Sequence, residues 1–228
     1  MFVQIILPII VCFVPVILAI IIFSKFQIKL IHQLLAVIIG LVAVLPISFI
    51  QYSLNNTRFL HNLTTTPILF YLITSFLVYG LLEESFKTAF LFLVPHKNYS
   101  TTQYFLLAGL TGLALAGFEN VIYFLDRFHK ANAKGAEFLY SLIFLRFFSA
   151  DIIHFTCTAI SGLFIITLRD KSLKTRWLFL LTAICLHGAY DFFAGFQNNL
   201  KWFQIMVILL AIIESRIKYK AVTTPEEK

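Results

Sequence analysis

Gly80-Leu81-Leu82-Glu83-Glu84-Ser85-Phe86-Lys87 sets two carboxylates and an ammonium inside a run that is otherwise dominated by apolar residues from Pro67 to Pro95. A charge near the centre of a bilayer costs at least about 2.5–3.5 kcal/mol on insertion scales, so such residues face a protein interior or a water-filled cavity. On a helix Glu83 and Lys87 are four residues apart and can pair, whereas Glu84 points about 100° away. One carboxylate of the pair is left without a local partner. The stretch fits a structural ion pair between helices, and it equally fits a reactive group.

The remainder of the chain sets this stretch in a membrane. Its 228 residues are 60% hydrophobic and 13% charged, with a mean hydropathy of +0.88. Apolar runs recur along the whole length, each close to the roughly 20 residues that cross a hydrocarbon core of about 30 Å. No stretch remains for a soluble domain. The runs 2–24, 30–51, 68–94, 104–125, 139–168, 177–196 and 201–214 predict an all-α, polytopic bundle of about seven transmembrane helices. Residues 1–218 form one membrane domain, and 219–228 read as a polar, disordered cytoplasmic tail. The first run has no basic leader segment and no small-residue cleavage site, so it is a retained span. The last run is short for a crossing and can instead lie in the interface.

Loop charge orients the bundle. Lys25, Lys29, Lys97, the four bases of 169–176, and Arg216, Lys218, Lys220 and Lys228 fall on one side. Arg58, Arg127, Lys130, Lys134 and Lys201 fall on the other. Eleven bases against five place the N-terminus outside and the C-terminus in the cytoplasm. The net charge of +7 follows from this topology and calls for no nucleic-acid partner. Cys12, Cys157 and Cys185 lie in apolar runs with no C-x-x-C spacing, so they read as small hydrophobes.

Further polar residues lie within the spans. The fourth span presents Gly109, Gly112, Ala116 and Gly117 as a small-residue packing face and carries Glu119 and Asn120 towards its outer end. The fifth carries Arg146, Asp151 and His154. Asp151 and His154 are three apart and share a face, so Asp151 can orient the imidazole. Arg146 is expected to snorkel at the outer interface unless it turns back into the site. The sixth holds His187 and Asp191, four apart, as two ligands or as a ligand or base with its orienter. At 1.5 Å per residue, Glu84, Glu119, His154, His187 and Asp191 lie about 16–24 Å from the cytoplasmic ends of their helices. Four helices thus deliver carboxylates and imidazoles to one layer, which unrelated structural pairs would not do.

Such a set serves a zinc hydrolase, in which a metal activates water and a free Glu acts as base. It also serves a metal-free site in which buried Glu activates water and His and Asn or Asp hold the carbonyl oxygen. Ser85, Ser149 and Ser161 have no nucleophile-elbow context. A proton or cation relay is a third possibility, although the spans show neither inverted repeats nor broken helices.

Taken in order, the motifs resemble a known family. Glu83-Glu84-Ser85-Phe86-Lys87 matches E-E-x-x-K, Glu119-Asn120-Val121-Ile122-Tyr123 looks like an E-N-x-x-Y end, Arg146 with His154 looks like the third motif, and His187-Gly188-Ala189-Tyr190-Asp191-Phe192 matches H-G-x-Y-D-F. The set resembles the PrsW family of intramembrane proteases, relatives of the CAAX prenyl proteases, over about residues 75–195. Leu115 stands where that family places Phe.

The resemblance implies a multi-pass protease of the bacterial cell membrane that cuts a membrane-anchored protein, typically an anti-sigma factor, near the outer face. It implies Glu83 or Glu84 as general base or ligand, and Glu119, His154 and His187 as the water-activating or metal site, zinc being the metal. Asp191 would be ligand or orienter and Lys87 the charge partner of the Glu pair, with Asn120, Arg146 and Asp151 in support. A non-catalytic membrane scaffold of the same superfamily is the competing reading.

Overall fold

The computed structural model describes residues 2–55, 66–131, 136–168 and 176–223, and all regular structure in them is helical. Two successive helices form the first span, α1 (Phe2–Cys12) and α2 (Val14–Ser24). Pro15, in the first turn of α2, sets the break at Phe13. The second span is α3 (Leu30–Asn55). The third begins with α4 (Pro67–Ile73), capped by the Thr66 hydroxyl, which accepts from the Leu69 amide. It continues through a π-helical segment, Thr74–Leu81, into α5 (Leu82–Leu91). Then follow α6 (Thr101–Ala131), α7 (Ala136–Phe147), α8 (Ala150–Thr167), α9 (Trp177–Ala194), a 3-10 turn (Asn199–Trp202) and α10 (Phe203–Thr223).

Among the described residues, six helical stretches are long and apolar enough to cross a membrane. The seventh expected span is different. Its helix, α10, starts at Phe203 and runs on to Thr223, carrying Glu214, Arg216, Lys218 and Lys220 in its second half. The disorder expected from Tyr219 onward is therefore absent over 219–223. Tyr219 instead hydrogen-bonds Thr102 at 2.6 Å and packs on Phe105, which holds the helix against α6. Residues 224–228, and the basic loop 169–175, lie outside the described residues.

Burial inverts the pattern of a water-soluble domain. Ile38, Leu45 and Phe49 on α3, and Phe144 and Leu145 on α7, are exposed, as bilayer-facing side chains are. The centre is α8, buried at almost every position and packed against α5, α6, α9 and α10. Glycine permits two close approaches at this axis. A Cβ on Gly112 of α6 would lie 2.3 Å from the His154 carbonyl oxygen of α8. One on Gly80 would lie 2.7 Å from the Ile184 carbonyl oxygen and 3.1 Å from Gly188 of α9. These contacts bring the backbones carrying His154 and His187 against those carrying Glu119 and the Glu pair. All three cysteines are free, Cys12 and Cys157 buried and Cys185 exposed, as their apolar settings predict.

Candidate active site

The π-helical segment ends where the Glu pair begins. The Leu82 amide bonds the Leu77 carbonyl five residues back, so the turn is widened just before Glu83. From there α5 points Glu83, Glu84 and Lys87 inward, and all three are buried. Lys87 Nζ lies 2.9 Å from Glu83 Oε1 and 2.8 Å from Glu84 Oε1. Helix spacing pairs Lys87 with Glu83, and the family resemblance makes it the charge partner of both glutamates. It reaches both, because residues three apart are also neighbours on a helix and the lysine stem is flexible.

Glu84 is fully engaged. Its Oε1 also meets His187 Nδ1 at 2.8 Å, and its Oε2 accepts from the Ser161 hydroxyl at 3.2 Å. Glu83 is not. Gln51 donates to its Oε2 at 3.3 Å, but its Oε1 is buried with no hydrogen bond of good geometry, Lys87 being near it as a charge. That same oxygen lies 3.3 Å from His154 Nδ1 and 3.7 Å from His187 Nε2. The two imidazoles stand edge to face with centroids 4.9 Å apart.

Proton bookkeeping at these nitrogens is informative. Lysine can only donate, so the 2.9 Å contact from Lys87 makes His154 Nδ1 an acceptor and leaves Nε2 to donate towards Glu119 Oε2 at 3.2 Å. His187 Nδ1 donates to Glu84, so in the neutral imidazole Nε2 is a bare lone pair. It faces Asp191 Oδ2 at 3.4 Å and Glu83 Oε1 at 3.7 Å, both acceptors. A proton on Nε2, or a cation in addition to the Lys87 ammonium at Glu83 Oε1, reconciles these facing acceptors. Glu83, His154 and His187 each place a ligand atom within 4.8 Å of the others and could hold a metal ion, which at His154 would take the Nδ1 lone pair that here accepts from Lys87. Glu119, expected as the third ligand, stands on the far side of His154, drawn there by the Nε2 donor and by Arg146 Nη2 at 3.6 Å.

The supporting residues form a second network. Arg146 does turn back into the site. Its Nε donates to Asn120 Oδ1, and its guanidinium lies 4.0 Å from the centroid of the Tyr123 ring. Asn120 Nδ2 donates to Asp151 Oδ1 at 2.8 Å. Asp151 was expected to orient His154, but its bond goes to Asn120, and His154 is oriented by Glu83, Lys87 and Glu119. The helix break at Phe148–Ser149, between α7 and α8, allows Arg146 and Asp151 to approach Asn120 together.

These groups line a cavity of about 680 Å³ that opens at the bundle surface. Glu83, Glu119, His154, His187, Asp191 and Arg146 reach it, and Glu84 and Lys87 do not. Sequence reasoning missed Gln51, which sits at the end of its span, and Ser161. Ser161 is seven residues from His154 and therefore on the same helix face, which is the signal that marks it.

Helices long and apolar enough to cross a membrane, with carboxylates and imidazoles gathered around a cavity, have the make-up of an intramembrane hydrolase. Residues 29–214 match the model of the PrsW family intramembrane metalloproteases, and the chain belongs to that family. No curated protein and no solved structure matches it. Membership makes the chain a membrane-embedded protease and displaces the scaffold and transporter readings.

Proposed function

We propose that the chain is an endopeptidase of a bacterial cell membrane that hydrolyses a peptide bond in a membrane-anchored protein of the anti-sigma-factor type, with zinc held by Glu83, His154 and His187. The observation that carries this reading is Glu83 Oε1, buried 3.3 and 3.7 Å from two imidazole nitrogens with Lys87 as its ion-pair partner and no well-formed hydrogen bond. Mixed nitrogen and carboxylate donors of this kind suit zinc, which supplies a polarised water and a Lewis acid for the scissile carbonyl.

The chain's own residues divide the remaining work. Glu84 holds the Nδ1–H of His187, which turns Nε2 inward and fixes the tautomer. Lys87 balances the charge of the Glu pair in the low-dielectric interior. Glu119 lines the cavity with its side chain about a fifth exposed, where it can take a proton from the attacking water and return it to the leaving nitrogen. Arg146 and His154 Nε2 position that carboxylate from two sides.

Asp191 sits across the cavity from them against His187. Because each ligand must be deprotonated to bind metal, occupancy and activity should fall together as pH is lowered. The test is cleavage of a membrane-anchored reporter by the full chain in proteoliposomes. Wild type is expected to cut, and Glu119→Gln to lose about 10²–10⁴-fold in rate with the metal retained. Undiminished cleavage by Glu119→Gln would remove it from the role of base.

A further inference from the structure

The outer end of the cavity is cationic, and one of its cations is unspent. Arg127 lies on α6 two turns beyond Glu119, about 12 Å further along the helix axis. Its half-buried side chain lines the same cavity. Arg127 and Arg146 both stack on Tyr123, with guanidinium carbons 5.7 and 4.0 Å from the ring centroid. A ring face attracts a guanidinium without using its N–H groups, which stay able to donate. Their commitments differ. Arg146 is bonded inward to Asn120 and stands 3.6 Å from Glu119. Arg127 makes no ion pair or hydrogen bond among the described residues, and its only partner there is the Tyr123 ring.

A guanidinium at the mouth of the cavity, with no anion paired to it among the described residues, can receive one. Deeper in the cavity Arg146 is already committed to Asn120 and Glu119, and Lys87 to the Glu pair, so Arg127 is the lining guanidinium left to receive a substrate anion. Loop charge places that end outside the membrane. A peptide segment extended from the reaction layer gains about 3.3 Å per residue, so a group three or four residues from the scissile bond arrives at Arg127.

Resting on the proteolytic reading above, we propose that Arg127, stacked on Tyr123 at the outer mouth, is a specificity-determining residue that binds a carboxylate of the substrate segment just outside the bilayer. The carboxylate belongs to an Asp or Glu side chain or to the free C-terminus of a previously cut protein. Both present the two coplanar oxygens that a guanidinium edge accepts in paired hydrogen bonds.

The probes are fluorescent peptides with an apolar stretch of about 20 residues and an outer flank carrying two Asp, two Asn or two Lys, all amidated. A further peptide has the Asn flank with a free terminal carboxylate. Binding to the full chain is measured in phosphatidylcholine nanodiscs. Wild type is expected to bind an Asp-flanked or free-carboxylate peptide roughly tenfold more tightly than the amidated Asn peptide. Arg127→Gln should erase that preference and leave the Asn peptide unchanged, and Arg127→Glu should shift the preference to the Lys flank.

Equal affinities for wild type, or a preference that survives in Arg127→Gln, would overturn the proposal. So would phosphatidylglycerol that abolishes the preference and is retained by wild type but not by Arg127→Gln, since the site would then belong to a lipid phosphate. Binding needs no cleavage, which separates the two readings. A preference with no peptide cut at any flank defeats the protease reading alone, and cleavage with no preference defeats this one alone.

Discussion

Glu83 and Glu84 are adjacent, equally buried and share Lys87, yet they occupy two different environments. Both oxygens of Glu84 are taken by Lys87, His187 and Ser161, and it does not touch the cavity. Glu83 lines the cavity, and its Oε1, between two imidazoles, has the Lys87 ion pair but no well-formed hydrogen bond. A rotation of about 100° on one helix separates them. Saturating a buried carboxylate makes it a fixed strut that orients its neighbours, whereas leaving an acceptor open creates a place for a cation.

The contrast can be broken most sharply by substituting the two glutamates in turn. Glu83→Gln is expected to lose bound metal and to reduce cleavage of a membrane-anchored reporter to background, with the protein still monodisperse in detergent. Equal activity of Glu83→Gln and wild type would erase the distinction. Next in size is Lys87→Met, which leaves two buried carboxylates without their cation. Thermal unfolding in detergent should show a loss of about 3–5 kcal/mol. A loss confined to a few tenths would mean that water reaches the pair.

Glu84→Gln sharpens the comparison from the other side. It should keep the fold and weaken metal affinity or activity by about 10–100-fold, the effect of a group that acts through a ligand. Complete inactivity equal to that of Glu83→Gln would place Glu84 in the reaction itself. Smallest is Ser161→Ala, which removes one long hydrogen bond to the Glu84 carboxylate and should cost about 1 kcal/mol in unfolding free energy.

Those differences between neighbours explain how far the sequence could be read. The spans were legible because length and hydropathy suffice to define them, and the Glu pair, Glu119, His154, His187 and Asp191 stood out as polar residues in apolar runs. The spacing of His187 and Asp191 held, since both lie on one regular helix. Pairings between helices were not legible. Asp151 shares a face with His154, but Asn120 of α6 competes for it across the α6–α8 contact.

The position of Glu119 at the Nε2 side of His154 was not legible for the same reason, because Arg146 reaches back to it over a helix break that no proline or glycine marks. The polar tail also misled, because Tyr219 finds both a hydroxyl and an aromatic partner on α6. Local pattern fixes which residues enter the layer, and packing between helices decides who meets whom.

The central claim is that Glu83, His154 and His187 hold a metal while Glu84 only orients one of them. Its most direct test is the zinc content of the detergent-purified full chain by inductively coupled plasma mass spectrometry, for wild type, His187→Ala and Glu84→Gln. The account predicts stoichiometric zinc in wild type, none in His187→Ala, and zinc in Glu84→Gln that is retained at high metal concentration and lost on dilution. Wild-type protein that cleaves a membrane substrate without zinc or any other metal would contradict it.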